Sequence, residues 1–125
     1  MKKKKSMFGG EGYQYYDLLR ANKNFDFVKR ILDPKNAPRP ISDGQIKETH
    51  RMAAEYLGKG GTNPAVFPTI VNEGGKLIRL STEQAMERAI RTGEFIAFDS
   101  IQKALDFSKG YKPPEFERYY QHGGE

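Results

Sequence analysis

A chain of 125 residues is long enough for one modest hydrophobic core and too short for two independent ones. Its residues are 37% hydrophobic and 30% charged, more polar than an average globular chain, yet 12% aromatic residues are too many for a wholly disordered one. The absence of cysteine excludes disulfides, thiolate metal ligation and thiol nucleophiles, and favours assembly in a reducing cytoplasm.

The net charge of +5 points first to nucleic acid. Lys2, Lys3, Lys4 and Lys5 supply four of those charges, and without them 17 basic residues face 16 acidic ones. Affinity for phosphate or an acidic surface therefore belongs to residues 1–12, a basic flexible tail that releases only about four counterions, and a solubilising tail accounts for it as well. The same lysines imitate the start of a signal peptide, but Ser6-Met7-Phe8-Gly9-Gly10 stands where an apolar stretch is required. The longest apolar runs, such as Ala65 to Val71, are far short of a membrane span, so no membrane partner is expected.

Residues 13–112 read as a single α+β domain. Tyr13-Gln14-Tyr15-Tyr16-Asp17-Leu18-Leu19 opens it as a short helix or a docked arm. Asn24 is placed to cap a helix whose apolar positions are Phe25, Val28, Ile31 and Leu32, with Asp26 in its first turn and Lys29 and Arg30 near its end. Pro34 closes it, and Asp33 to Gly44, with Pro38, Pro40 and Asp43-Gly44, predicts an extended connector with a turn.

Residues near 49–56 alternate as a strand does, although a helical reading is nearly as good. Gly58 to Pro64 reads as a flexible loop, and Ala65 to Val71 as the clearest strand. Asn72-Glu73-Gly74-Gly75 then predicts a four-residue loop closing a hairpin over about 65–80, with Pro68 at an edge or bulge.

Ser81 with Gln84 forms a capping box, and Leu80 with Ala85 a hydrophobic staple. The expected buried stripe is Ala85, Met86, Ala89 and Ile90, ended by Gly93. A short strand follows near 95–98, and Ser100 caps a last helix carrying Ile101, Ala104, Leu105 and Ser108 that Gly110 ends. Together these predict a small antiparallel sheet packed by two or three helices, with extended terminal arms. Residues 113–125 form an aromatic C-terminal arm. Tyr13, Tyr15, Tyr16, Phe116, Tyr119 and Tyr120 are the candidate partner contacts, because aromatic side chains give large contact area at low entropic cost.

Catalytic chemistry finds little support. His50 and His122 are the only histidines, and no local spacing makes a metal site of them. His50 with Glu48 and Asp43 can be drawn as a base and its orienting carboxylate. We read His50 instead as a structural or interface residue beside Met52 and Ala54. Ser42, Ser81 and Ser100 lack a nucleophile elbow, and two of them serve better as caps. Gly58-Lys59-Gly60-Gly61-Thr62 lacks the order of a phosphate loop, and Asp99 reads as the start of a helix. Phe67, Phe95 and Phe98 are assigned to the core rather than to base stacking. No cofactor and no enzymatic activity are expected.

A set of segments carries a resemblance: Asn24-Phe25-Asp26-Phe27-Val28-Lys29-Arg30-Ile31-Leu32, Thr49-His50-Arg51-Met52, Phe67-Pro68-Thr69-Ile70-Val71, and Gly93-Glu94-Phe95-Ile96-Ala97-Phe98-Asp99-Ser100, with Ala104, Phe107-Ser108 and Tyr111-Lys112. Over about residues 13 to 112 the chain resembles a small domain of tailed-bacteriophage virion-associated proteins. The resemblance implies a virion structural or adaptor protein, assembled in the host cytoplasm. It would bind other phage proteins, in multiple copies, in the tail, the head-tail junction or the internal protein set. It brings no catalytic residues, and it favours strand over helix for Thr49 to Tyr56. The alternative is a nucleic-acid-associated virion module contacting DNA weakly through Lys2 to Lys5.

Overall fold

The structure is a computed structural model that describes residues 15–111 apart from 44, 45 and 59. It is an α+β fold of four α-helices and seven short strands among those residues. Helix α1 spans Tyr16–Ala21 and α2 spans Asp26–Leu32, followed by a 3-10 turn at Pro34–Asn36. Strands β1 (Ile41–Asp43) and β2 (Ile46–Glu48) pair antiparallel, so the expected connector contains a hairpin. Strands of only three residues leave no alternation to read.

The central sheet has three antiparallel strands in the order β3 (Met52–Leu57), β4 (Asn63–Pro68), β7 (Ile96–Ala97). The expected strand near 49–56 thus begins at Met52, and Asn63 and Pro64 belong to β4 rather than to the loop. The expected hairpin over 65–80 divides at Thr69. Beyond it β5 (Ile70–Glu73) and β6 (Lys76–Arg79) make a separate hairpin whose turn is Gly74-Gly75. Both glycines have positive φ, 63° and 90°, as a two-residue turn of this hand requires. Asn72 Oδ1 accepts from Gly75 N at 2.8 Å and locks it.

Helix α3 (Thr82–Thr92) starts with the expected reciprocal capping box, Gln84 N to Ser81 Oγ at 3.1 Å and Ser81 N to Gln84 Oε1 at 3.0 Å. It ends at Gly93 in the left-handed region, φ 79°. Its buried residues are Ala85 and Ala89. Ile90 is 55% exposed, which corrects the expected stripe: a helix lying close on small side chains leaves its flank in solvent. Helix α4 (Ile101–Gly110) is capped by Ser100, buries Ala104 and Phe107, and takes in Gly110, which was expected to end it.

Two cores flank β4. Leu19, Phe27, Val28, Ile31, Val66, Ile96, Ala104, Phe107 and Tyr111 form one, where α1, α2 and α4 meet β4 and β7. Leu57, Ala65, Phe67, Ala85 and Ala89 form the other, under α3. Burial on both faces explains why Ala65 to Phe67 reads as a continuous apolar run instead of an alternating one.

Candidate functional site

The polar interior is built around three side chains. Arg30 is 3% exposed and reaches inward from α2. Its Nη1 donates to the Thr49 carbonyl, its Nη2 to the Ile70 carbonyl at 3.1 Å, and its Nε to Asp26 Oδ2 at 2.9 Å. Burial pushes the guanidinium below its ordinary value, opposed by the charges of Asp26 and Glu94. Arg30 thus ties α2 to the segment before β3 and to the start of β5.

Glu94 replaces the expected Asn24 cap. The N-cap of α2 is Phe25, with no side-chain cap, and the free Phe27 N–H donates to Glu94 Oε2 at 3.1 Å. Arg88 of α3 donates to the other carboxylate oxygen at 2.7 Å, so Glu94 couples the two helices.

His50 is 5% exposed, and its Nδ1 shares a hydrogen bond with Tyr111 Oη at 2.8 Å. The Glu48 carboxylate is bound by Arg51 at 2.7 Å and Arg79 at 3.0 Å. Partial burial works to raise the Glu48 pKa; the hydrogen bonds and charges of both arginines outweigh it and hold the group below its ordinary value. Ser81 and Ser100 serve as caps, Ser42 is exposed on β1, and Asp99 pairs with Lys103 at 3.1 Å on the surface. Among the described residues no group of three or more His, Asp or Glu side chains is placed to hold a metal ion, and no helix is long and apolar enough to cross a membrane.

The outer side of α2 forms one wall of an open cleft of about 820 Å³. The hairpin residues Asn72 and Gly75 face it, and Leu32, Ala37 and Pro38 give it an apolar floor. Asp26 is engaged by Arg30, and Asp33 by Asn36 at 2.7 Å. Lys23 and Lys29 are exposed and make no ion pair among the described residues, and with Asp33 still charged they leave the cleft only weakly basic. The cleft assembles residues 23–38 with residues 72–75, a separation that no local pattern reveals.

Of the sequence-based contact candidates, Tyr15 is half-buried and packs edge-to-face on Phe107, ring centroids 5.0 Å apart. Tyr16 is half-buried with the Arg20 guanidinium 5.7 Å from its ring centre. Tyr13, Phe116, Tyr119, Tyr120 and Lys2 to Lys5 lie outside the described residues. Comparison with protein-family models, characterised proteins and solved structures finds no match for the chain.

Proposed function

We propose that the chain is a structural or adaptor protein of a bacteriophage virion, and that it holds a segment of a neighbouring virion protein in the cleft beside α2. The observation that carries this reading is the cleft itself: open, lined by the apolar Leu32, Ala37 and Pro38, and carrying Lys23, Lys29, Asn24 and Asn36 beside the single unpaired carboxylate of Asp33. Those are the features of a groove for a peptide segment with acidic or amide side chains, since floor contacts give area and rim groups give register. The buried polar residues support it too, because Arg30 and Glu94 are engaged in joining elements of this chain. The phage context comes from the resemblance of residues 24–32, 49–52, 67–71 and 93–100.

Lysine-directed cross-linking of purified particles, read by mass spectrometry, tests it. Peptides containing Lys23 or Lys29 are expected joined to another virion protein. The variant Lys23→Glu/Lys29→Glu is expected to fold normally and enter particles several-fold less well. Normal incorporation of that variant would count heavily against the cleft.

The concentration of four lysines in residues 2–5 supports a second reading, a weak DNA contact through the tail. DNA affinity measured over a salt series with and without those lysines separates the two. Salt-insensitive binding by the tailless protein contradicts a tail-borne contact.

A further inference from the structure

We propose that the outer edge of β3 pairs with the same edge of a second copy of this chain, antiparallel and two-fold symmetric about Ala53. Within one copy, β3 and β4 are in register so that Met52 is opposite Pro68, Ala54 opposite Val66 and Tyr56 opposite Pro64. Bonded and non-bonded pairs alternate along an antiparallel ladder. Thr69 N donates to Arg51 O at 2.8 Å, so the odd-numbered residues of β3 are the ones that bond to β4. Pro64 and Pro68, which have no N–H, fall in the other set, as that assignment requires.

The N–H and C=O groups of Met52, Ala54 and Tyr56 therefore point away from β4, and among the described residues β3 has no second neighbour in its sheet. Such a row is a template for another strand unless proline, lysine or a bulge blocks it, and Met52–Leu57 carries none of these.

Charge selects both the occupant and the register. Arg51 and Glu55 stand two residues either side of Ala53, and the pleat puts all three on one face. Both charged side chains are exposed, and Glu55 makes no ion pair among the described residues. Arg51 donates through Nε and Nη2 to Glu48 Oε2, at 3.1 and 2.7 Å, which leaves Nη1 for another acceptor. Opposite charges placed symmetrically about one residue are what a self-complementary edge needs. Pairing two copies about Ala53 sets Arg51 of each directly opposite Glu55 of the other, in non-bonded pairs where side chains stand closest. Met52 of each copy then bonds Ala54 of the other, through the groups that β4 leaves open. Tyr56, 43% exposed, comes diagonal to Met52 of the other copy. An axis at Glu55 instead brings two carboxylates together, and one at Ala54 leaves both charges opposite apolar residues. The pairing joins the three-stranded sheets of the two copies into one. It shares no residue with the cleft beside α2, so the two readings are tested separately.

The full-length variants Arg51→Glu and Glu55→Arg test it. Each variant alone sets like charges opposite one another at both ends of the seam, and a mixture of the two restores opposite charges at both. Sedimentation of the unaltered chain is expected to show monomer and dimer in equilibrium, with association about tenfold or more weaker in each variant and regained on mixing them. Hydrogen exchange on the unaltered chain, resolved by residue, is expected to slow at Met52 and Ala54 as protein concentration rises. An unaltered chain that stays monomeric at the highest concentration reached overturns the proposal. So does a dimer indifferent to both substitutions, or a mixture that associates no better than its components. Protection at Ala54 that is independent of concentration also overturns it, because the edge is then covered from within one chain.

Discussion

Arg30 keeps its charge inside the protein because two main-chain carbonyls and Asp26 replace the water it lost. Arg30→Met preserves bulk but removes the guanidinium that donates to the Thr49 and Ile70 carbonyls. A loss of about 2–4 kcal/mol is expected from denaturant unfolding. Glu48 makes a different statement, about pH. Its folded pKa lies below the unfolded value, so the unfolded chain takes up the proton first as acid is added. The Glu48 contribution is present above about pH 4.3 and is lost as pH falls through the folded value. Glu48→Gln should flatten the acid side of the stability profile, measured as urea midpoints, by a modest amount because both arginines are solvent-accessible.

At the level of elements, α3 is held at its start by local chemistry alone. Ser81→Ala removes the acceptor for Gln84 N and should cost about 1 kcal/mol, lowering the thermal midpoint by about 4–8 °C. Such local chemistry is also what the sequence displays well. The capping box at Ser81, the left-handed Gly93 and the Ser100 cap were all legible, because each depends on residues within one turn. The start of α2 was not, since its cap is Glu94, 67 residues away. Spacing alone placed Ile90 inside and passed over Phe107, because the face a helix buries is decided by the sheet beneath it. The break at Thr69 was hidden for a related reason: β4 and β5 are both apolar, and only pairing distinguishes them. Arg30 and Glu94 escaped notice as site residues because ionisable side chains are ordinarily exposed, and nothing local in the chain marks the two that are not.

The whole molecule is organised by β4, which lends Val66 to one core and Ala65 and Phe67 to the other. The α+β class and the antiparallel pairing were therefore readable from strand and helix signals, whereas the division into two cores depends on which helix meets which face. Phe107 is fully buried and touches Tyr15, Phe98 and Tyr111. Phe107→Ala should cost about 3–5 kcal/mol, a large part of the stability of a domain this size, and calorimetry should show the folded population falling sharply at physiological temperature.

The larger core joins Leu19 and Phe27 to Phe107 and Tyr111, whereas the smaller one needs only residues 53 to 95. This difference sets an order on biosynthesis. As the ribosome delivers the chain, β3, β4 and α3 can close on one another while α4 is still inside the exit tunnel. Helices α1 and α2, made first, must wait for the last helix with their apolar faces open to water. During that interval those faces are open to unwanted association, and emergence of Phe107 and Tyr111 completes the core that covers them.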